Sequence, residues 1–158
     1  MPSIDVFFSP KGGATDTIVQ ELSRSKKEIL VQAYSFTSAP IAKALVDAHK
    51  RGVKVTVVLD KSQRSEKYSS ADFVNNAGIL TYIDDKHTIA HNKIMIIDQA
   101  VVITGSFNFT KAAEEKNAEN LLVIKGEPGL VKNTLRTFWI IWGTQKGIRE
   151  DLEYQFDA

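Results

Sequence analysis

Four polar side chains that together could bind and attack a phosphate lie on either side of a short apolar segment. His91 and Lys93 precede the segment, and Ser106 and Asn108 follow it. An imidazole can act as a nucleophile or carry a proton, an ammonium supplies positive charge, and a hydroxyl and an amide donate neutral hydrogen bonds. Gly105 lets the backbone approach a ligand closely. These groups fit a tetrahedral phosphate anion.

The intervening residues predict a β-hairpin. Residues 93–97 and 101–104 are rich in β-branched side chains, and a polar break at 98–100 separates them. Side chains alternate between the two faces of a strand, so His91 and Lys93 share a face, and so do Ser106 and Asn108. The hairpin would therefore gather all four groups at one end.

The position of the turn sets which residues face each other. With a turn centred on 99–100, the numbers of cross-strand partners sum to 199. His91 then faces Asn108, and Lys93 faces Ser106. A slip of one residue would scatter the four groups, because each side chain would move to the other face.

The segment also matches a known signature when it is written as a pattern. It is His-x-Lys, four residues, Asp98, six residues, then Gly-Ser-x-Asn. This pattern resembles the HKD signature of the phospholipase D superfamily, with every named position and both gaps in place. Residues 31–60 and 116–124 are also similar to the small single-motif members of that superfamily, the bacterial phospholipase D-like endonucleases. Only the tail after Trp142 has no counterpart.

The resemblance implies a two-histidine mechanism that needs neither a metal nor another cofactor. One histidine attacks phosphorus to form a phosphohistidine, and the second protonates the leaving oxygen and then activates water. This chain has one motif and no internal repeat. A twofold-related copy is the simplest source of the second histidine, since it would place two copies of His91 around one phosphate. We therefore expect a homodimer to be required for activity.

Two carboxylates receive different expected roles. Asp98 lies at the far end of the hairpin, roughly 17 Å from Lys93 at ~3.3 Å per residue, and should support the turn rather than touch the phosphate. Glu119 begins the next predicted strand and, by the resemblance, matches the position that orients a catalytic imidazole. A carboxylate on one ring nitrogen fixes the tautomer of His91 and stabilises the charged ring. The alternative for Glu119 is a charged residue at a strand edge.

The other histidines fit structural roles better. His49 lies at a predicted helix end, where a positive charge is favourable. His87 forms an i, i+4 pair with His91, a spacing that binds metal on a helix, but the residues around His91 indicate a strand. No metal site is expected.

Composition bounds the remaining possibilities. The chain has 158 residues, 43% hydrophobic residues and no cysteine, which predicts one domain over residues 1–158 and excludes disulfides and thiolate metal sites. The net charge of +1 is low for a nucleic-acid-binding protein. Two local basic runs are present, and we assign the second to substrate contact: Lys43, Lys50, Arg51 and Lys54, then Lys61, Arg64 and Lys67.

Localisation follows from the resemblance alone. The residues after Met1 lead directly into a short strand and show no signal peptide. Because the similar bacterial endonucleases are usually exported, we expect a mature periplasmic or secreted form, with a cytoplasmic location left open. Apolar runs are far shorter than the ~20 residues of a membrane span, and no stable membrane association is expected.

Strand and helix patterns alternate along the chain, which predicts an α/β fold with a mixed β-sheet flanked by helices on both faces. Strands are predicted at 4–8, 29–34, 53–59, 79–83 and 120–124 besides the hairpin. Helices are predicted at 14–24, after a Ser38 cap, at 70–76, at 109–115 and at 130–142.

These observations favour a nonspecific endonuclease that cleaves DNA, with RNA left open. A phospholipid-hydrolysing or phosphatidyl-transferring phospholipase D is the first alternative, because its chemistry at phosphorus is the same. The second is a nucleic-acid-binding module without catalysis, and the third is a structural dimerisation domain.

Overall fold

The computed structural model describes residues 1–146 and contains a seven-stranded mixed sheet with helices on both faces, as predicted. The strands lie side by side in the order β1, β7, β6, β5, β2, β3, β4. β2, β3 and β4 are parallel, and every other neighbouring pair is antiparallel. In chain order the elements are β1 (Ser3–Phe8), α1 (Ala14–Ser23), β2 (Glu28–Ala33), α2 (Ala39–Lys50), β3 (Lys54–Asp60), a 3₁₀ helix (Lys61–Arg64), α3 (Ala71–Asn76), β4 (Leu80–Asp84), β5 (Ile94–Ile97), β6 (Val101–Gly105), α4 (Lys111–Glu115), β7 (Asn120–Lys125) and α5 (Pro128–Lys146).

Each face of the sheet has its own core. Side chains from α1 to α4 pack on one face, which includes the buried Val31, Val57 and Ile103. The amphipathic α5 covers the other face, where Phe138 packs with Leu30. Ser38 caps α2 as predicted, with its hydroxyl accepting from the backbone N–H of Ile41. None of the described helices is both long and apolar enough to cross a membrane.

One edge of the sheet collects the ends of several strands, and we call it the site edge. The parallel strands β2, β3 and β4 all finish there, where Tyr34 follows β2, Asp60 ends β3 and Asp84 ends β4. β5 begins at this edge, β6 ends there and β7 begins there. Residues far apart in sequence therefore meet in one row.

The hairpin register differs from the prediction by one residue. Ile94 pairs with Thr104 and Ile97 with Val101, so partner numbers sum to 198 rather than 199. The turn has three residues, 98–100, and both Asp98 and Gln99 have positive φ angles, of 53° and 52°. The predicted two-residue centre was wrong because this left-handed turn leaves an odd number of residues between the strands.

A β-bulge follows β6 where the regular pairing with β7 ends. The backbone N–H groups of Ser106 and Phe107 both donate to the Asn120 carbonyl, at 3.0 and 3.3 Å, which is the two-against-one pattern of a bulge. Gly105, just before it, has φ of 145°. Because the bulge breaks the alternation of faces, Ser106 lies at the same cavity as Lys93 despite the shifted register.

Asp98 anchors the hairpin turn to the start of β2. Its carboxylate accepts hydrogen bonds from the backbone N–H groups of Lys26, Lys27 and Glu28, at 2.9, 2.8 and 3.0 Å. Burial raises the pKa of Asp98, but these backbone hydrogen bonds lower it more, so it lies below the ordinary 3.8. The carboxylate is thus held as an anion by the backbone.

Replacing Asp98 with alanine should lower the free energy of unfolding by about 2 kcal/mol near neutral pH, because a charged acceptor of three backbone hydrogen bonds is lost. Since the folded pKa is depressed, this stabilisation is present above the ordinary pKa and is lost as the pH falls through the folded value. Urea unfolding at about pH 7 and about pH 3 measures both effects. The control Asp5→Ala removes an exposed carboxylate from β1 and should change little. Equal losses for both variants would contradict the anchoring role.

Replacing Gly105 with alanine should destabilise the protein by on the order of 3 kcal/mol, because its φ is strained for other residues and an added Cβ would clash with the Asn120 carbonyl oxygen. Gly13→Ala is a matched control. Gly13 also has a positive φ, of 85°, but an added Cβ there meets nothing within 4 Å. That control should cost about 1 kcal/mol. Thermal unfolding measures the loss of stability in each variant. The difference between the two losses gives the cost of the clash beyond the cost of the strained φ angle.

Candidate active site

An open cavity of ≈ 570 Å³ lies at the site edge and takes in most of the residues that the sequence singles out. It forms where β5 begins, β6 ends and β7 begins. All four phosphate-binding candidates contribute to it, and so does Glu119. Its lining consists of His91, Asn92, Lys93, Ile94, Thr104, Gly105, Ser106, Asn108 and Glu119.

Lys93 is the most buried charged group of this cavity, with 7% of its surface exposed. Its Nζ donates to the carbonyl oxygen of His91 at 2.6 Å and lies 3.1 Å from the Nδ1 of His91. It also lies 5.5 Å from the centre of the Tyr34 ring. Burial lowers the pKa of Lys93, and the nearby Glu119 carboxylate partly opposes this change. An anion bound in the cavity would supply the counter-charge that the ammonium lacks.

Tyr34 packs against the imidazole of His91. Its ring centroid lies 4.6 Å from that of His91, with the planes tilted by 57°. His91 itself is exposed, so its ring can reach a ligand in the cavity. Sequence reasoning assigned no role to Tyr34, because its contact with His91 depends on two strands, β2 and β5, whose pairing the pattern does not reveal.

Ser106 and Asn108 both line the cavity, but their side chains differ in hydrogen bonding. The Ser106 hydroxyl donates to the side-chain oxygen of Asn120 at 3.2 Å and accepts from the Asn120 backbone N–H at 3.0 Å. It therefore helps to close the bulge as well as lining the cavity. The side-chain oxygen of Asn108 is buried and has no hydrogen-bond partner among the described residues. A buried acceptor without a hydrogen bond is unfavourable unless a ligand or a water molecule donates to it.

The predicted pair between Glu119 and His91 does not form within this chain. Among the described residues, no hydrogen bond joins the Glu119 carboxylate to the imidazole, and the group beside the Nδ1 of His91 is the Lys93 ammonium. The Glu119 backbone is instead fixed to Ser9, whose hydroxyl accepts from the Glu119 N–H at 3.1 Å. Glu119 acts within one copy through its charge on Lys93.

A buried carboxylate positions the loop that leads into His91. Asp60 is 3% exposed and accepts from the backbone N–H of Ala90 at 2.8 Å and of Ser62 at 2.9 Å. Burial raises the pKa of Asp60, but the hydrogen bonds from Ala90 and Ser62 lower it more. Sequence reasoning missed this residue. An acid that directly ends the apolar strand β3 was the available signal.

His49 and Arg51, which the sequence analysis also considered, do not line this cavity. His49 lies beside Gly78 at a second cavity, near the opposite ends of β3 and β4. In the first basic run, Arg51 donates to the carbonyl oxygens of Leu22 and Ser25, which is a structural role. Within residues 1–146, no group of three or more His, Cys, Asp or Glu could hold a metal ion.

Comparisons with known proteins place this site in a family context. The family model described as "Cardiolipin synthase, PLD-like domain" matches residues 18–142. A protein named Phospholipase D from Rickettsia typhi is 43% identical over 125 residues, which cover 79% of this chain and 61% of that protein. This chain thus spans about three fifths of the length of these curated relatives from Rickettsia.

Solved structures show the same likeness. The crystal structure of Nuc, a phospholipase D family member from Salmonella typhimurium, is 41% identical with a TM-score of 0.87, and the match covers 92% of this chain and 96% of that one. NucT from Helicobacter pylori, at 22% identity and a TM-score of 0.80, shares the fold. The fold, the His-x-Lys cavity and the matching family model together establish that this chain belongs to the phospholipase D superfamily, a family of phosphodiesterases.

Proposed function

We propose that this protein is a metal-independent endonuclease that cleaves DNA through a covalent phosphohistidine, with two copies of the chain sharing one site. RNA is a second substrate to be tested. The contact between His91 and the buried Lys93, inside an open polar cavity, carries this proposal. It combines a nucleophile with a desolvated positive charge, and both are suited to a phosphodiester.

In the proposed reaction, the Nε2 lone pair of one His91 attacks phosphorus and forms an N–P bond. The P–O bond to the leaving group breaks, and the departing oxygen takes a proton from His91 of the second copy. Water then attacks the phosphohistidine, gives its proton to that second imidazole, and the N–P bond breaks. Lys93 and Asn108 stabilise the charge that develops on the phosphate oxygens.

The protonation of His91 explains why one copy is insufficient. A charged Lys93 can only donate, so Nδ1 accepts and the neutral ring carries its proton on Nε2. That tautomer suits neither role, because the histidine that protonates the leaving oxygen must be an imidazolium with protons on both nitrogens. A ring that attacks phosphorus needs a bare Nε2 and therefore a proton on Nδ1 with an acceptor beside it. Glu119 of a second copy would supply that acceptor, since it makes no such bond within its own chain.

An exposed apolar strip offers a surface for the second copy. Ile4, Val6 and Phe8 of β1 are 62%, 48% and 63% exposed on the sheet face that α5 covers elsewhere. Phe8 pairs with Asn120, which bonds Ser106 of the cavity. The strip therefore runs up to the active site. A twofold contact along it would bring two cavities together.

Phospholipid hydrolysis is the second candidate, and the names of relatives favour it. The curated relatives include proteins named Phospholipase D and, at 29% identity over 142 residues, the Mitochondrial cardiolipin hydrolase of Xenopus laevis. Against it, Ile94 is the one apolar side chain among the described residues that line the cavity. A lipid-binding groove is normally lined by apolar residues. We therefore prefer the nuclease.

Replacing His91 with alanine should abolish cleavage of plasmid DNA in excess EDTA, by on the order of 10³-fold or more, because the nucleophile is lost. DNA affinity should change much less. His49→Ala, which alters a histidine at a separate cavity, is the matched control and should cleave like the wild type.

Other outcomes separate the candidate functions. Cleavage that stops in EDTA would contradict the metal-free mechanism. DNA binding without cleavage by the wild type would support a binding module. Cleavage of phospholipid in liposomes, without cleavage of DNA, would support the phospholipase.

Mixing subunits tests the shared site. If each dimer has one site that needs two copies of His91, co-expression of equal amounts of wild type and His91→Ala should leave about a quarter of the wild-type activity rather than about half.

Val6→Lys should produce a monomer and abolish activity, since it charges the apolar strip. Asp5→Lys, an exposed position on the opposite face of the same strand, should remain dimeric. Sedimentation velocity gives the oligomeric state, and a fully active monomer would overturn the shared site.

A further inference from the structure

A second histidine at the site edge is held by a buried carboxylate and is not used by the proposed reaction. The Nδ1 of His87 lies 2.7 Å from an oxygen of Asp84, which is 0% exposed. Asp84 also accepts from the backbone N–H groups of Lys86 and His87, at 3.0 and 3.1 Å. About half of the His87 side chain is exposed, at 49%. The carboxylate therefore fixes the ring and leaves part of it open to solvent.

Charged groups of both signs lie in the segments around this pair. The Lys61 Nζ donates to the His87 carbonyl oxygen at 3.3 Å. The exposed Lys86 directly precedes His87 in the chain. Arg64 lies 3.8 Å from Asp85. The charged groups of the 3₁₀ helix, of the end of β4 and of the loop around His87 are three cations, Lys61, Arg64 and Lys86, and two carboxylates, Asp85 and the buried Asp84. A protonated His87 would add a further positive charge.

The pair lies in line with the active site along the sheet. β4, which ends at Asp84, is separated from β5 by β3 and β2, so the two ends are about 14 Å apart at ~4.8 Å per strand. The charges of one DNA strand lie ~3.4 Å apart along the axis of a duplex and farther apart in an extended single strand, so this distance spans at most about four nucleotides. Asp60 ties the intervening loop to the sheet through Ala90, which keeps the two positions in a fixed relation.

We propose that His87, held by Asp84, is a second phosphate-binding position that contacts a phosphate no more than about four nucleotides from the bond at His91. This inference rests on the proposed function and specifies its substrate as a chain of several phosphodiesters. With Nδ1–H donated to Asp84, the neutral ring presents only a lone pair at Nε2, which repels a phosphate. Protonation of Nε2 converts it into a donor. Phosphate binding here is therefore coupled to uptake of one proton.

The test measures binding, so that it does not depend on cleavage. Fluorescent single-stranded oligodeoxynucleotides of about two to twelve nucleotides are titrated against His91→Ala protein and against the His87→Ala/His91→Ala double variant. Anisotropy is read at about pH 5.5 and about pH 8, on either side of ordinary histidine titration. His49→Ala/His91→Ala is the matched control, because it removes the other histidine. His87→Arg/His91→Ala keeps a positive charge at both pH values.

The expected result depends on both length and pH. At the lower pH, loss of His87 should weaken binding about tenfold for oligonucleotides longer than about four nucleotides and hardly at all for dinucleotides. The difference should shrink at the higher pH, and the arginine variant should bind equally at both. The proposal is wrong if the loss is the same at every length, if no oligonucleotide binds, or if His87 matters only for anionic phospholipid vesicles. If loss of His87 weakens binding as expected but the wild type does not cleave plasmid DNA, the proposed nuclease activity is wrong instead.

Discussion

The burial of a charged amine at the sheet edge is the constraint on which the site depends. Lys93 is 7% exposed, and among the described residues it meets a carbonyl oxygen, an imidazole nitrogen, an aromatic face and the more distant charge of Glu119. A cation removed from water is costly unless it is paired. The incomplete compensation makes the cavity receptive to an anion, and it also governs the tautomer of His91.

Three carboxylates share a second structural principle. Asp60, Asp84 and Asp98 each accept hydrogen bonds from two or more backbone N–H groups outside the regular strands and helices or at their starts. Backbone donors fix a loop more rigidly than flexible side chains do, because they add no rotamer freedom. Asp98 does this for the hairpin turn, far from the cavity, while Asp60 and Asp84 do so at the site edge. The signature aspartate thus belongs to the scaffold.

Much of the fold and of the lining of the site could be predicted from local sequence patterns. Alternation and capping located the strands and helices to within a few residues, and motif spacing identified His91, Lys93, Ser106 and Asn108. The hairpin register could not be predicted, because it depends on the left-handed turn at Asp98 and on the bulge at Ser106. The contact of Tyr34 with His91 and the missing bond from Glu119 depend on the order of strands in the sheet, which local patterns do not encode.

The pairing of the first strand with the last has a consequence for how the protein forms during synthesis. β1 contains residues 3–8 and, within residues 1–146, its one strand partner is β7, residues 120–125, so it cannot join the sheet until β7 has been synthesised. Contacts between such distant segments form late, since closing the loop between them is entropically unfavourable. Ser9 then fixes Glu119 at the cavity. The cavity is therefore among the last parts of the fold to be completed.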